Sequence, residues 1–184
     1  MSARPFEVPL GDLRDHRGTR SIVRRGLVPE DLMADLDSRV PAGTEAVAEV
    51  EMEAFDGGVA VSGTVASRWE GECRRCLTKV GGELEAEVRE LFRPGGGEDE
   101  GTYPMGEDHI DLQDLVMDNL FAALPLMPLC REDCAGLCPV CGANRNSDPC
   151  SCTVESSDPR WSALDALKAP APAAHPGAAD DPRP

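Results

Sequence analysis

From Glu45 the chain alternates. In TEAVAEVEMEAF, Ala46, Ala48, Val50 and Met52 are set between Glu45, Val47, Glu49, Glu51 and Glu53. Successive side chains of a strand point to opposite faces, so this period of two predicts a half-buried strand with an acidic outer face. Asp56-Gly57-Gly58 supplies hairpin turn residues. The return strand puts Val59, Val61 and Val65 on one side, and Gly63 within it marks a bulge or a close backbone approach. In GGELEAEVRELF the alternation resumes, with Leu84, Ala86, Val88 and Phe92 opposing Glu83, Glu85, Glu87 and Arg89. Between these two strands stands Cys73-Arg74-Arg75-Cys76. A turn joining antiparallel strands would present both sulfurs on the same side.

Elsewhere the period is helical. Asp111 suits an N-cap, Asp114 follows in the first turn, and Leu112, Leu115, Val116, Leu120 and Ala123 recur on one face. Met117 and Phe121 widen that face, which is expected to cover the inner side of the sheet; Pro125 ends the helix. Two shorter helices are predicted. One starts at Pro29 with Leu32, Met33 and Leu36 inward; the other is capped by Asp158 and Pro159 with Trp161, Leu164 and Leu167 on one side. Residues 94–108, rich in Gly and acidic residues, read as a loop, and the lone His109 reads as structural rather than as a ligand.

This organises the chain as a basic N-terminal arm (1–26), an α+β core domain (27–129), a Cys-rich metal module with a short helix (130–168), and a disordered Ala/Pro/Asp tail (169–184). Val8, Leu10 and Leu13 of the arm are expected to pack on the body. The fold class is α+β: an antiparallel β-sheet, a packed helix, and a C-terminal cysteine-rich segment resembling a zinc knuckle.

Charge sharpens the division. The chain of 184 residues carries a net charge of -16. Residues 1–25 hold Arg4, Arg14, Arg17, Arg20, Arg24 and Arg25 against three acids, for +3, while the remainder has 12 basic and 31 acidic residues, for -19. The body therefore suits a basic partner, and only Arg14, Arg17, Arg20, Arg24 and Arg25 of the arm, with Arg74 and Arg75, offer contacts to RNA phosphate. No aromatic is interleaved among the arm arginines to stack on bases, so a solvated arm is the simpler reading. The apolar stretch Leu120–Leu129 holds two prolines and falls far short of the ~20 residues of a membrane span. With no leader-like segment at the N-terminus, a cytoplasmic, reducing setting is expected.

In that setting eight cysteines read as metal ligands rather than as disulfides. The pattern is Cys73-x2-Cys76, then Cys130-x3-Cys134-x3-Cys138-x2-Cys141-x8-Cys150-x-Cys152. Four thiolates close a tetrahedral Zn²⁺ site with no open position, so one or two structural zinc ions are expected. One partition gives Cys73, Cys76, Cys130 and Cys134 to one ion and Cys138, Cys141, Cys150 and Cys152 to another. A single site of Cys73, Cys76, Cys138 and Cys141 is the rival, and an iron–sulfur cluster fits four thiolates equally in kind. Neither C-x2-C opens a helix inside a βαβ unit, which disfavours thioredoxin-like chemistry. A thiol-based redox protein or sensor using Cys73 or Cys76 keeps one argument, since Arg74 and Arg75 beside them lower thiol pKa. The sequence holds no phosphate-binding glycine loop, no Ser–His–Asp set and no evident small-molecule site.

The strings ECRRCL, IDL, ALPLMPLC, DCAGLCPVCGANRN, CSC and DPRWSALDALK, in that order over residues 20 to 168, resemble the YceD family, the large ribosomal RNA subunit accumulation proteins. Asn144-Arg145-Asn146 departs from that family's usual N-L-N. The resemblance implies a non-enzymatic role in synthesis, processing or stability of 23S rRNA, with 23S rRNA or a basic large-subunit ribosomal protein as partner and no membrane association.

Overall fold

The computed structural model describes residues 4–13, 18–29, 38–97, 101–153, 160–161 and 164. Its frame is one sheet of eight strands: β1 (Glu7–Pro9), β2 (Thr19–Leu27), β3 (Ser38–Arg39), β4 (Glu45–Phe55), β5 (Gly58–Glu72), β6 (Lys79–Pro94), β7 (Tyr103–Met105) and β8 (His109–Asp111). Among the described residues one α-helix follows, α1 (Gln113–Ala123). The strand order is β1-β8-β7-β6-β5-β4-β2, with β3 also paired to β5.

The expected alternation sets the core. Ala46, Ala48, Val50 and Met52 of β4 are buried with Val59, Val61 and Val65 of β5 and Leu84, Val88 and Phe92 of β6. Leu112, Leu115, Val116, Met117 and Leu120 join the same hydrophobic cluster from the α1 side. Each fully buried residue of this size contributes roughly 1.5–3 kcal/mol against exposure. Phe121 does not extend that face as expected; it is half exposed. Asp111 is not the N-cap expected of it: it lies in β8, two residues before the helix start, Leu112 holds the cap position, and the Asp111 Oδ1 accepts from the Gln113 N–H at 3.0 Å. Gly63 is a close approach: with φ at +149°, a Cβ there would strike the Glu49 carbonyl oxygen on β4.

Three features depart from the sequence reading. First, Thr19–Leu27, all but its last residue in the segment 1–26 read as an arm, is a nine-residue strand paired with β4 over its full length. Its inward positions are Arg20, Ile22, Arg24 and Gly26, and only Ile22 is both apolar and buried, so the pattern is too polar to announce a strand. Second, β7 lies in the segment 94–108 read as a loop, where three residues are too short for periodicity to show. Third, β7 runs parallel to β6, so the sheet is antiparallel with one parallel pair.

The sheet curls until its two ends meet. β1 and β2 stand at opposite ends of the strand order, yet Arg20 donates to the Pro9 carbonyl at 3.1 Å and Arg24 Nε to the Glu7 carbonyl at 3.4 Å. Phe6 covers Gly26 so closely that a Cβ there would lie 2.5 Å from its ring. Val8, Leu10 and Leu13 are buried, as expected of the N-terminal segment. The helix predicted from Pro29 has its body at 30–37, outside the described residues, as do Asp158, Pro159, Leu167 and the tail 169–184. Of the last predicted helix Arg160, Trp161 and Leu164 are described, and both apolar side chains are exposed.

Candidate metal centre

The turn between β5 and β6 is a cysteine knuckle. The Cys73 N–H donates to the Thr78 carbonyl at 2.8 Å, and the Leu77 N–H donates to the Cys73 carbonyl at 2.8 Å. A second turn repeats both bonds. The Cys138 N–H donates to the Ala143 carbonyl at 2.8 Å, and the Gly142 N–H to the Cys138 carbonyl at 2.9 Å. The closing residue of each turn has positive φ, +58° at Leu77 and +75° at Gly142. Such a turn folds the backbone under the sulfurs and aims successive N–H groups at them.

Two sets of four sulfurs converge, each set lying within 4.8 Å of one another: Cys73, Cys76, Cys130 and Cys134, and separately Cys138, Cys141, Cys150 and Cys152. These are the sets of the two-site partition, not of the single-site rival. In the first, Cys73 and Cys134 Sγ are 3.7 Å apart and Cys76 and Cys130 Sγ 3.6 Å. A disulfide would need about 2.05 Å. Four sulfurs at about 2.3 Å from a tetrahedral zinc are about 3.8 Å from one another. The observed spacing fits the second case, so the two clusters can each hold a metal ion.

The segment 124–137 is laid against the first knuckle by direct bonds. The Arg74 N–H donates to the Pro128 carbonyl at 3.0 Å, and the Leu137 N–H to the Arg75 carbonyl at 2.9 Å. The Arg75 guanidinium donates to the carbonyls of Glu132 at 3.2 Å and Cys134 at 3.1 Å. Cys73, Cys76 and Cys134 are buried with Val80 and Leu137 around them, while Cys130 is exposed. The second cluster is more open: Cys138 is buried, but Cys141 and Cys152 are exposed.

Thiol acidities divide within each set. Burial pushes the Cys73 thiol up, but N–H groups of Cys130, Arg75 and Cys76 outweigh it and bring it down to about 6. Cys76 is lowered chiefly by the Thr78 hydroxyl, 3.2 Å from its sulfur. Cys138 is lowered to about 6 by the N–H groups of Cys141 and Val140. Although Cys130 as a residue is exposed, desolvation of its sulfur among the other three and its hydrogen bonds with Cys134, Cys76 and Cys73 push the thiol up to about 12. Cys152 is pushed up to about 12 by its hydrogen bonds with Cys141 and Cys150. Four crowded sulfurs cannot all ionise without a cation among them.

The arginines read as RNA contacts are placed differently. Arg20 and Arg24 serve β1, Arg25 pairs with Glu45 at 3.2 Å, and Arg75 binds the loop carbonyls. Arg14 and Arg17 lie outside the described residues, and Arg74 holds the Pro128 carbonyl through its backbone. The sequence reading missed Thr78, Asn144 and Asn146 as partners of the sulfurs and their loops. The Asn-x-Asn spacing after the second knuckle was the signal for two of them.

The model of the family described as "Large ribosomal RNA subunit accumulation protein YceD" matches residues 61–168, the stretch holding all eight cysteines. The chain belongs to the YceD family. An uncharacterized protein of Mycobacterium tuberculosis is 38% identical over 159 residues, covering 81% of this chain and 70% of its own. An uncharacterized protein of Mycobacterium bovis matches to the same extent. One from Mycobacterium leprae is 32% identical over 128 residues, covering 66% of this chain and 58% of its own. No solved structure matches the chain significantly. As a YceD protein it falls in a family named for accumulation of the large ribosomal RNA, and its two four-cysteine clusters lie inside the matched region. Among the described residues no helix is long and apolar enough to cross a membrane.

Proposed function

We propose that this YceD protein is a non-catalytic ribosome-biogenesis factor, held by two structural zinc ions, that supports 23S rRNA by binding a basic large-subunit ribosomal protein. The observation that carries the choice of partner is the outer face of the sheet. Register places Glu49 and Glu87 on either side of Thr64, and Glu51 and Arg89 on either side of Ser62. Glu49, Glu51, Glu53, Glu83, Glu85 and Glu87 are all exposed on that face. Two acidic rows beside a low central strand favour a cationic protein surface and repel phosphate. All five described arginines nominated for RNA, Arg20, Arg24, Arg25, Arg74 and Arg75, have partners within the fold, which supports the same choice.

The test is capture of 23S rRNA and of purified basic large-subunit ribosomal proteins on the immobilised chain at graded salt. The reading expects a ribosomal protein to be retained, with retention falling as salt rises and lost in Glu49→Lys/Glu87→Lys. Retention of naked rRNA without protein would transfer the role to RNA binding, and retention of neither would remove both forms of the idea. A thiol-redox reading draws support from the lowered thiols of Cys73 and Cys76, and both residues are buried.

A further inference from the structure

We propose that Asn146 couples the two cysteine clusters, so that metal binding at the second raises metal affinity at the first. This rests on the reading of both clusters as metal sites. Asn146 lies between Cys141 and Cys150, so both ends of its loop are fixed by ligands of the second cluster. Its side chain works on the first. Nδ2 donates to Cys134 Sγ at 3.2 Å, while Oδ1 accepts from the Ala135 N–H at 2.8 Å and from Arg131 at 2.7 Å. It grips the Cys130–Cys134 span on both sides of a ligand. Asn144 in turn holds Asn146, its Oδ1 accepting from the Asn146 N–H at 3.0 Å and from Nδ2 at 2.8 Å.

An N–H donated to a metal-bound thiolate offsets part of the charge that four sulfurs place around one dication. Such outer-sphere donors typically contribute about 10–100-fold to metal affinity. With the second cluster open, the eight residues between Cys141 and Cys150 must be ordered before Asn146 can reach Cys134. With that cluster closed by metal, the ordering is already done. The coupling is reciprocal by linkage, so metal at the first cluster strengthens the second equally. Asn146 is thus a positioning residue for both sites.

The experiment titrates the full chain with Co²⁺ against a competing chelator and reads the thiolate-to-cobalt charge-transfer bands. Cys150→Ser/Cys152→Ser removes the second site and is expected to weaken the first by about fivefold or more. Asn146→Ala is expected to weaken the first by about tenfold in the wild-type chain and by much less in the Cys150→Ser/Cys152→Ser background. Asn146→Asp keeps the Oδ1 acceptor but sets a carboxylate against Cys134, and is expected to be weaker than Asn146→Ala. Equal affinity of the first site with and without the second, the same Asn146→Ala factor in both backgrounds, or Asn146→Asp matching wild type would each overturn the coupling. A wild-type chain that takes up no cobalt would instead overturn the metal reading beneath it.

Discussion

Leu77 and Gly142 occupy the same place in two like turns, each donating its N–H to the carbonyl of the cysteine four residues before it. Only one of them suits the conformation. A bulky residue at φ +58° is a genuine outlier, and Leu77 is the one non-glycine residue with positive φ among those described. Such strain costs on the order of 1–3 kcal/mol. Leu77 is 59% exposed, so little burial offsets it.

Leu77→Gly is therefore expected to stabilise the protein by about 1 kcal/mol, after subtraction of glycine's own entropy cost. Urea unfolding monitored by circular dichroism measures this. Gly142→Leu should move stability the other way. A destabilised Leu77→Gly would mean that the exposed side chain holds more than the backbone loses.

The contact between the sheet's two ends makes a second prediction. Arg20 and Arg24 reach the Pro9 and Glu7 carbonyls across the curl. Replacing both by Gln should cost about 1–2 kcal/mol and speed amide exchange in β1 more than in β4–β6. Uniform protection across the sheet in that variant would show that burial of Phe6 and Val8 alone closes the curl.

Thiol acidity sets the pH behaviour. In the metal-free fold Cys73 and Cys138 sit at about 6, below the ordinary thiol value of 9. The folded state then binds fewer protons than the unfolded between about 6 and 9. These groups raise stability with pH across that window and lose their contribution as pH falls through about 6. Cys130 and Cys152, at about 12, act oppositely: their contribution is present below 9 and is lost as pH rises toward 12. A metal must displace the protons that these two retain, so its apparent affinity should rise steadily from pH 6 to 8 in chelator competition. A flat profile would show that the sulfurs are not the ligands.

Much of the sheet was legible because β4, β5 and β6 alternate and their buried side chains are apolar but for Ser67 of β5. The knuckle between β5 and β6 was legible for the same reason, since two strands of fixed direction leave the intervening C-x2-C only one place to be. β2 was hidden because Arg20 and Arg24 take inward positions for a partner strand far away in the order. No local pattern encodes a contact made by curling the sheet. The cysteines could be counted and read as metal ligands from their spacing, but the spacing left two divisions open, and Asn146 could not be assigned to Cys134 without the loop path that brings it there.

The most direct measurement is metal content of the purified chain by mass spectrometry, with cysteine pairs replaced in turn. The account predicts two zinc ions per chain, one after Cys73→Ser/Cys76→Ser, and one after Cys150→Ser/Cys152→Ser. One metal in the wild-type chain, iron in place of zinc, or a stoichiometry untouched by Cys73→Ser/Cys76→Ser would contradict it.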